Sequence, residues 1–422
     1  MGLSSVFQVF QLALGPSLQY TMGAFKVGQY FREVLIGVPF HQNNRILVEF
    51  LGKQADEGRK NDSHLALISG LGGYIPGETR IALRKFFGII HKQGGFQLLA
   101  NTWPFNDETD VIFNSKKTDI PHSNTIRFHV LDSDGHVLTQ AEYTISSKGI
   151  VSGPGSRDND PSNNIDQLDS FSEIRTICNE EKIDLLDYIY SSEGLIHSIT
   201  KEQILDRMIQ TWRIMEASID NGINNKGSIS PLIDRYANQY QQNFESQLPE
   251  FQFLGIENTE ASIFASAVSE ESLGNQLVIT APVCETSGIV AAVLKSLQKK
   301  YRFGESQMAE ALLIGGFVGS VLEKACIRYA DKSAKRVDFQ IATGMAAAAG
   351  QFLIKNQIDT LNSCINIALK LSDSEADFTP AELPQTNLKH ANLALLSINL
   401  SMFEYKTEEL AFDQFFRKIL KN

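Results

Sequence analysis

The stretch that most constrains this chain is DFQIATGMAAAAGQFL, Asp338 to Leu353, in which Gly344, Ala346, Ala347, Ala348, Ala349 and Gly350 are interrupted only by Met345. Alanine has the best helix propensity, and such small side chains let neighbouring backbones approach closely. The segment therefore predicts the centre of a helical bundle rather than a surface helix. The run TAPVCETSGIVAAVL, Thr280 to Leu294, has a similar character. By itself this composition gives a fold element and no activity.

A chain of 422 residues is long enough for two domains with substantial cores. Its 49 acidic side chains outnumber 38 basic ones, for a net charge of -11, and no block of Lys and Arg forms a phosphate-binding face. Nucleic acid is thus not expected as a partner. The apolar opening MGLSSVFQVFQLALG has no basic region before it and stops at Gly15-Pro16, so it reads as part of a cytoplasmic protein rather than as a signal. No apolar run has the length of a membrane span, and no membrane partner is expected. The four cysteines, Cys178, Cys284, Cys326 and Cys364, lie far apart without a CxxC pair. They read as reduced, buried thiols, not as a disulfide framework or a zinc site.

Up to about Gly155 the pattern is mixed. An apolar helix is broken at Gly15-Pro16, and a second helix opens near Ser17 and Thr21, with Ser17 able to cap it. VIFN, TIRFHVLD and HVLTQAEYTIS alternate apolar and polar residues, and DSDG at Asp132 to Gly135 predicts a hairpin turn between the last two. SGPGSRDNDPSNNIDQLDS, residues 152–170, has the composition of a linker. Beyond it apolar residues recur at helical spacing to the end. The expected architecture is an α+β N-terminal domain at 1–151, a linker at 152–170 and an all-α helical-bundle domain at 171–422.

Several stretches, taken in order, carry a resemblance. Gly15, Pro16, Ser17, Thr21 and Gly23 form a loop; NDSHLALISGLGG follows; then PHSNTIRFHVLDSDGHVLTQAEYTIS with His122 and Asn124; then AVSEESLGNQLVITAP with Glu270, Glu271, Gly274 and Thr280; then SGIVAAVL and ATGMAAAAG. Collinear over nearly the whole chain, this set resembles the iron-sulfur L-serine dehydratases in their single-chain form. The resemblance implies a lyase of amino-acid metabolism with a small amino-acid-like ligand, a homodimer, and an active-site cavity between the two domains. It also implies that Ser17, Thr21, His122, Asn124, Glu271 and Thr280 contact the substrate.

Members of that family dehydrate serine at a four-iron cluster held by three cysteines. Laid over the family pattern, the ligand positions here are Lys335, Asp377 and Leu388. Ammonium, carboxylate and isobutyl groups do not replace thiolates, so the iron-sulfur cluster is expected to be absent and no other cofactor is implied. One expectation is a cluster-free enzyme, catalysing an elimination, a beta-substitution or an isomerisation at the α or β carbon of a small amino acid, in which Lys335, Asp338, Asp377 and Cys284 carry the chemistry, since a buried Lys of shifted pKa serves as acid, base or electrophile. The other is an inactive relative that binds an amino acid or a protein partner.

Overall fold

The computed structural model describes residues 4–76, 83–116, 120, 122–157, 171–230, 233–247, 255–329, 337–372 and 379–403. Contacts divide the chain into two compact units, each with its own core. One, the sheet unit, is Ala13–Asp160 with Asn275–Leu277; the other, the helical unit, takes Met1–Leu12, Pro161–Gly274 and Val278–Asn422.

The expected first helix is short. Helix α1 covers Val6–Val9, closed by a capping box between Ser5 and Gln8. The remaining apolar residues form strand β1, Leu12–Leu14, because they find a strand partner far along the chain. Ser17 then caps a single π-helical turn, Leu18–Met22, its Oγ accepting from Tyr20 N at 3.3 Å. Helix α2, Gly23–Leu35, continues from it.

Strand β2 (Arg45–Gly52), helix α3 (Lys53–Lys60), helix α4 (Ser63–Leu71), helix α5 (Leu83–Gln93), strands β3 (Gly95–Leu98) and β4 (Asn101–Pro104), helix α6 (Asp107–Asp110) and strand β5 (Val111–Asn114) follow. Strands β6 (Asn124–Leu131) and β7 (Val137–Ile145) make the expected hairpin, and β8 (Val151–Ser152) closes the sheet. The five strands run in the order β5-β2-β6-β7-β8, parallel only between β2 and β5. Ile46, Val48, Phe50, Ile126, Phe128 and Val130 alternate along β2 and β6 and bury one face of the sheet beneath α2 and α4. Phe31 of α2 stacks on Phe128 with ring centroids 3.8 Å apart.

Helices α2 and α4 cross at glycines. A Cβ on Gly28 would lie 2.1 Å from the Leu67 carbonyl oxygen, and one on Gly70 would lie 2.2 Å from that of Phe25. Both obstacles are backbone, so neither crossing tolerates a larger residue without moving a helix.

The helical unit contains α7 (Phe171–Glu181), α8 (Leu185–His197), α9 (Lys201–Asn224), the small ribbon of β9 (Ser228–Ser230) and β10 (Ile233–Asp234), α10 (Ala237–Ser246) and α11 (Ile256–Leu273). Strand β11 (Leu277–Ile279) pairs with β1 and leads through a tight 3-10 turn at Cys284–Thr286 into α12 (Ser287–Tyr301). Helices α13 (Glu305–Tyr329), α14 (Asp338–Ile354), α15 (Ile358–Leu371) and α16 (Leu383–Ser401) complete it. The Ala-rich α14 is buried continuously from Phe339 to Gln351 and packs against α12, α13, α15 and α16. Gly350 shows how little room is left: a Cβ there would meet Ile398 of α16 at 2.4 Å and Leu297 of α12 at 3.0 Å. The architecture is thus an α+β region followed by a helical bundle, as the periodicity predicts. Most of the expected linker, 158–170, lies outside the described residues. Among the described residues no helix is long and apolar enough to cross a membrane.

These close approaches generate a paired test by urea denaturation. Gly28→Ala should destabilise the protein by roughly 1–3 kcal/mol through overpacking. Gly88→Ala, within α5 and with nothing within 4 Å of its added Cβ, should leave stability unchanged or raise it by up to about 1 kcal/mol, the helix gain over glycine.

Candidate functional site

In the sheet unit several segments meet at one end of the sheet. Gly52, at φ 59°, ends β2 opposite Asn124, and Lys53 N donates to the Ser123 carbonyl at 2.7 Å. A side chain at that φ is strained, and a Cβ would also strike the Ser123 carbonyl at 2.5 Å, so the turn into α3 requires glycine. The π-helical turn lies beside the end of β7: Gln19 Nε2 donates to the Ile145 carbonyl, and Gly23 abuts the Ile145 side chain. It also packs against α3 and α4, with Ser63 Oγ donating to the Tyr20 carbonyl.

The structure brings four of the sequence-derived residues to this region. Ser17 is occupied as a cap, and the exposed His122 accepts from Asn124 N through Nδ1 at 3.1 Å. Thr21 and Asn124 behave differently. Thr21 is fully buried and its Oγ1 has no hydrogen-bond partner among the described residues; the same holds for Oδ1 of buried Asn124. A residue that sequence reasoning passed over joins them: Gln54 of α3 is 0% exposed, and neither end of its amide has a described partner. It is hidden in KQADEGRK, which reads as a solvated helix; Gly58 one turn on, where Ser63 approaches closely, is a sequence signal that this face is packed.

The helical unit holds the remaining described candidates. Thr280 spends its hydroxyl on the chain's first residues: Oγ1 donates to the Val9 carbonyl at 2.7 Å and accepts from Gln11 N at 2.9 Å. Glu271 is locked in a buried ion pair, Oε1 accepting from Arg235 Nη1 at 2.6 Å and from Asn225 Nδ2 at 2.8 Å. Its neighbour Glu270, which the sequence offered only as one of two adjacent carboxylates, is more open chemically. Its Oε1 accepts from Tyr236 N and Ala237 N, while the buried Oε2 has no partner among the described residues. Burial raises the Glu270 carboxyl above its usual range, outweighing the two N–H groups and Arg235. A buried acid with a free oxygen and a raised pKa is the type of group that moves protons.

Cys284 is wholly buried in its 3-10 turn, and burial next to Glu285 pushes its thiol well up. An activated thiol needs the opposite environment, a cation or a helix N-terminus facing the sulfur. Asp338 opens α14, half-buried, and lies near enough to Cys326 to help raise that thiol. Lys335 and Asp377 lie outside the described residues.

An iron-sulfur cluster, which the resemblance implies, needs thiolates converging on it. The chain's four thiols do not fit that demand. They sit on α7, the 3-10 turn, α13 and α15, and all are buried. Cys364 points its Sγ at the Ala347 carbonyl and is pushed up to about 12 by burial. Carboxylates at Asp184, Glu285 and Asp338 add to the upward shifts that burial causes in Cys178, Cys284 and Cys326, and among the described residues no cation offsets any of them. Such surroundings favour neutral thiols, not ligand anions. Leu388, at the third ligand position, is an aliphatic residue of α16.

Comparison with known proteins agrees with the division into an α+β region and a helical region. The serine dehydratase beta chain model matches residues 5–152, and the serine dehydratase alpha chain model matches residues 158–372. L-serine dehydratase 2 of Escherichia coli K12 is 26% identical over 353 residues, covering 82% of this chain and 77% of that protein. The L-serine dehydratase of Haemophilus influenzae is 27% identical over 361 residues, with the same shares covered. That of Helicobacter pylori strain 26695 is 24% identical over 368 residues, covering 82% and 78%. With beta-chain and alpha-chain regions on one polypeptide, the chain belongs to the iron-sulfur serine dehydratase family in its single-chain form.

Proposed function

We propose that this protein is a lyase acting on a small amino acid, with L-serine as the first substrate to test, and that it works without an iron-sulfur cluster. The observation that carries this reading is the pair of buried polar groups without a partner among the described residues, Thr21 Oγ1 and Asn124 Oδ1, on the two segments that resemble the family's amino-acid loops. Evolutionary drift toward a purely structural role would favour apolar replacements there, because a buried polar atom without a partner costs stability. The relatives named above are L-serine dehydratases, which supports elimination as the reaction class.

In that reaction a base removes the α-proton of serine and the β-hydroxyl leaves with a proton as water. Aminoacrylate results, and its hydrolysis gives pyruvate and ammonia. The α-proton is weakly acidic and hydroxide is a poor leaving group, so proton transfers at both ends are needed. Lys335 is assigned as the base and Glu270, whose carboxyl burial raises above its usual range, as the acid for the leaving hydroxyl; Asp338 and Asp377 complete the candidate set. Cys284, as a neutral thiol, contributes packing.

Turnover tests this directly. Pyruvate formation from L-serine should survive prolonged treatment with an iron chelator, and Lys335→Ala should lower kcat by at least about 100-fold, the usual weight of a general base. Activity abolished by the chelator would contradict the cluster-free reading, and L-serine binding without pyruvate would favour an inactive relative.

The raised carboxyl makes a second prediction. Because folding favours protonated Glu270, its contribution to stability is full below the ordinary glutamate range and is lost as pH rises through the raised value. The melting temperature of the native protein should therefore fall more steeply as pH rises above the ordinary glutamate range than that of Glu270→Gln, whose side chain does not ionise. Parallel melting curves for the two proteins would contradict the assigned proton affinity.

A further inference from the structure

Gln54 carries more than its sequence context suggests. It occupies the first turn of α3, a helix dense in charge, yet it is fully buried with both ends of its amide unpartnered among the described residues. A leucine or methionine would fill the same space without that penalty, so retention of an amide points to a bonding partner that is not part of the fold.

Its surroundings indicate what kind. Gln54 Nε2 lies 3.7 Å from the position a Cβ on Gly58 would take, and Ser63 Oγ lies 2.8 Å from that same position. Ser63 in turn holds the carbonyl of Tyr20, the residue before Thr21. On the other side, Gly52, two residues before Gln54, pairs with Asn124, and α3 packs against both the π-helical turn and β6. Three side chains with unspent hydrogen-bonding capacity are therefore carried by adjoining elements. Thr21 Oγ1 and Gln54 Nε2 offer donors; Gln54 Oε1 and Asn124 Oδ1 offer acceptors. A free α-amino acid presents the complement: a carboxylate that accepts and an ammonium that donates, one carbon apart.

We propose that Gln54 is a specificity-determining residue that, with Thr21 and Asn124, receives the α-carboxylate and α-ammonium of a small amino acid. The inference rests on the reading that this protein binds one, and it assigns the amide a place that neither the sequence pattern nor the resemblance gives it.

Two variants and two measurements test it: binding by titration calorimetry and pyruvate formation in the same samples, with L-serine, L-threonine, L-cysteine and glycine as probes. Gln54→Met keeps the shape and removes both polar ends. It should bind the preferred probe about 10- to 100-fold more weakly, as expected for lost hydrogen bonds to charged groups, while its ligand-free melting temperature stays level or rises. Gln54→Glu, should the Met variant fail to fold, should also weaken binding by placing a negative charge against the carboxylate. Native affinity in either folded variant would overturn the proposal. If the native protein converts L-serine and the variants bind it unchanged, the assignment of Gln54 fails alone. If the native protein binds a probe without turnover, the lyase reading fails, and the variants still decide on Gln54. A native protein that binds none of the probes overturns both.

Discussion

Close backbone contact between helices is the constraint on which this structure rests. Alanine and glycine along α14 leave so little side chain that α12, α13, α15 and α16 all pack against one helix, and a methyl group at Gly350 would have to displace the side-chain ends of Ile398 and Leu297. Packing of this kind is stiff, since interiors at crystal-like density do not deform gradually. The turn at Cys284–Thr286 and the buried end of α11 with Glu270 and Glu271 are held by that bundle. The sheet unit uses the same device on a smaller scale where Gly28 and Gly70 let α2 and α4 cross.

The rigid frame separates two kinds of buried polar group. Glu271 and Thr280 are engaged with protein partners, so their chemistry serves the fold. Thr21, Gln54, Asn124 and Glu270 keep unspent capacity in dry surroundings, where it costs most. The thiols fall on the structural side. Iron ligation demands anions, and burial, with neighbouring carboxylates adding to it, raises these thiols above their ordinary range. On the proposed reading, sulfur chemistry is the part of the family pattern given up and polar recognition the part kept.

Much of the fold was readable from local pattern. The density of small residues announced the buried α14, strict alternation gave β6 and β7, and the Asp-Gly turn placed the hairpin between them. Pairing between distant segments was not readable. Strand β1 took residues that read as helix because its partner lies more than two hundred residues away, and nothing local encodes such a partner. The candidate site shows the same division. Thr21 and Asn124 could be singled out because they sit in stretches with a recognisable order, whereas Gln54 looks like any polar residue of an exposed helix until tertiary packing buries it. The ion pair of Glu271, which the resemblance offered as a substrate contact, was hidden for the same reason as the partner of β1: Arg235 is 36 residues earlier in the chain.

The central claim is that a serine dehydratase scaffold persists here without the means to hold iron. Anaerobic reconstitution of the full chain with ferrous iron and sulfide, followed by removal of unbound metal and a count of iron and acid-labile sulfide per chain, tests it most directly. The account predicts essentially no retained iron and no visible charge-transfer absorption. Retention of about four irons per chain, with matching sulfide, would show thiolates acting as cluster ligands and would contradict it.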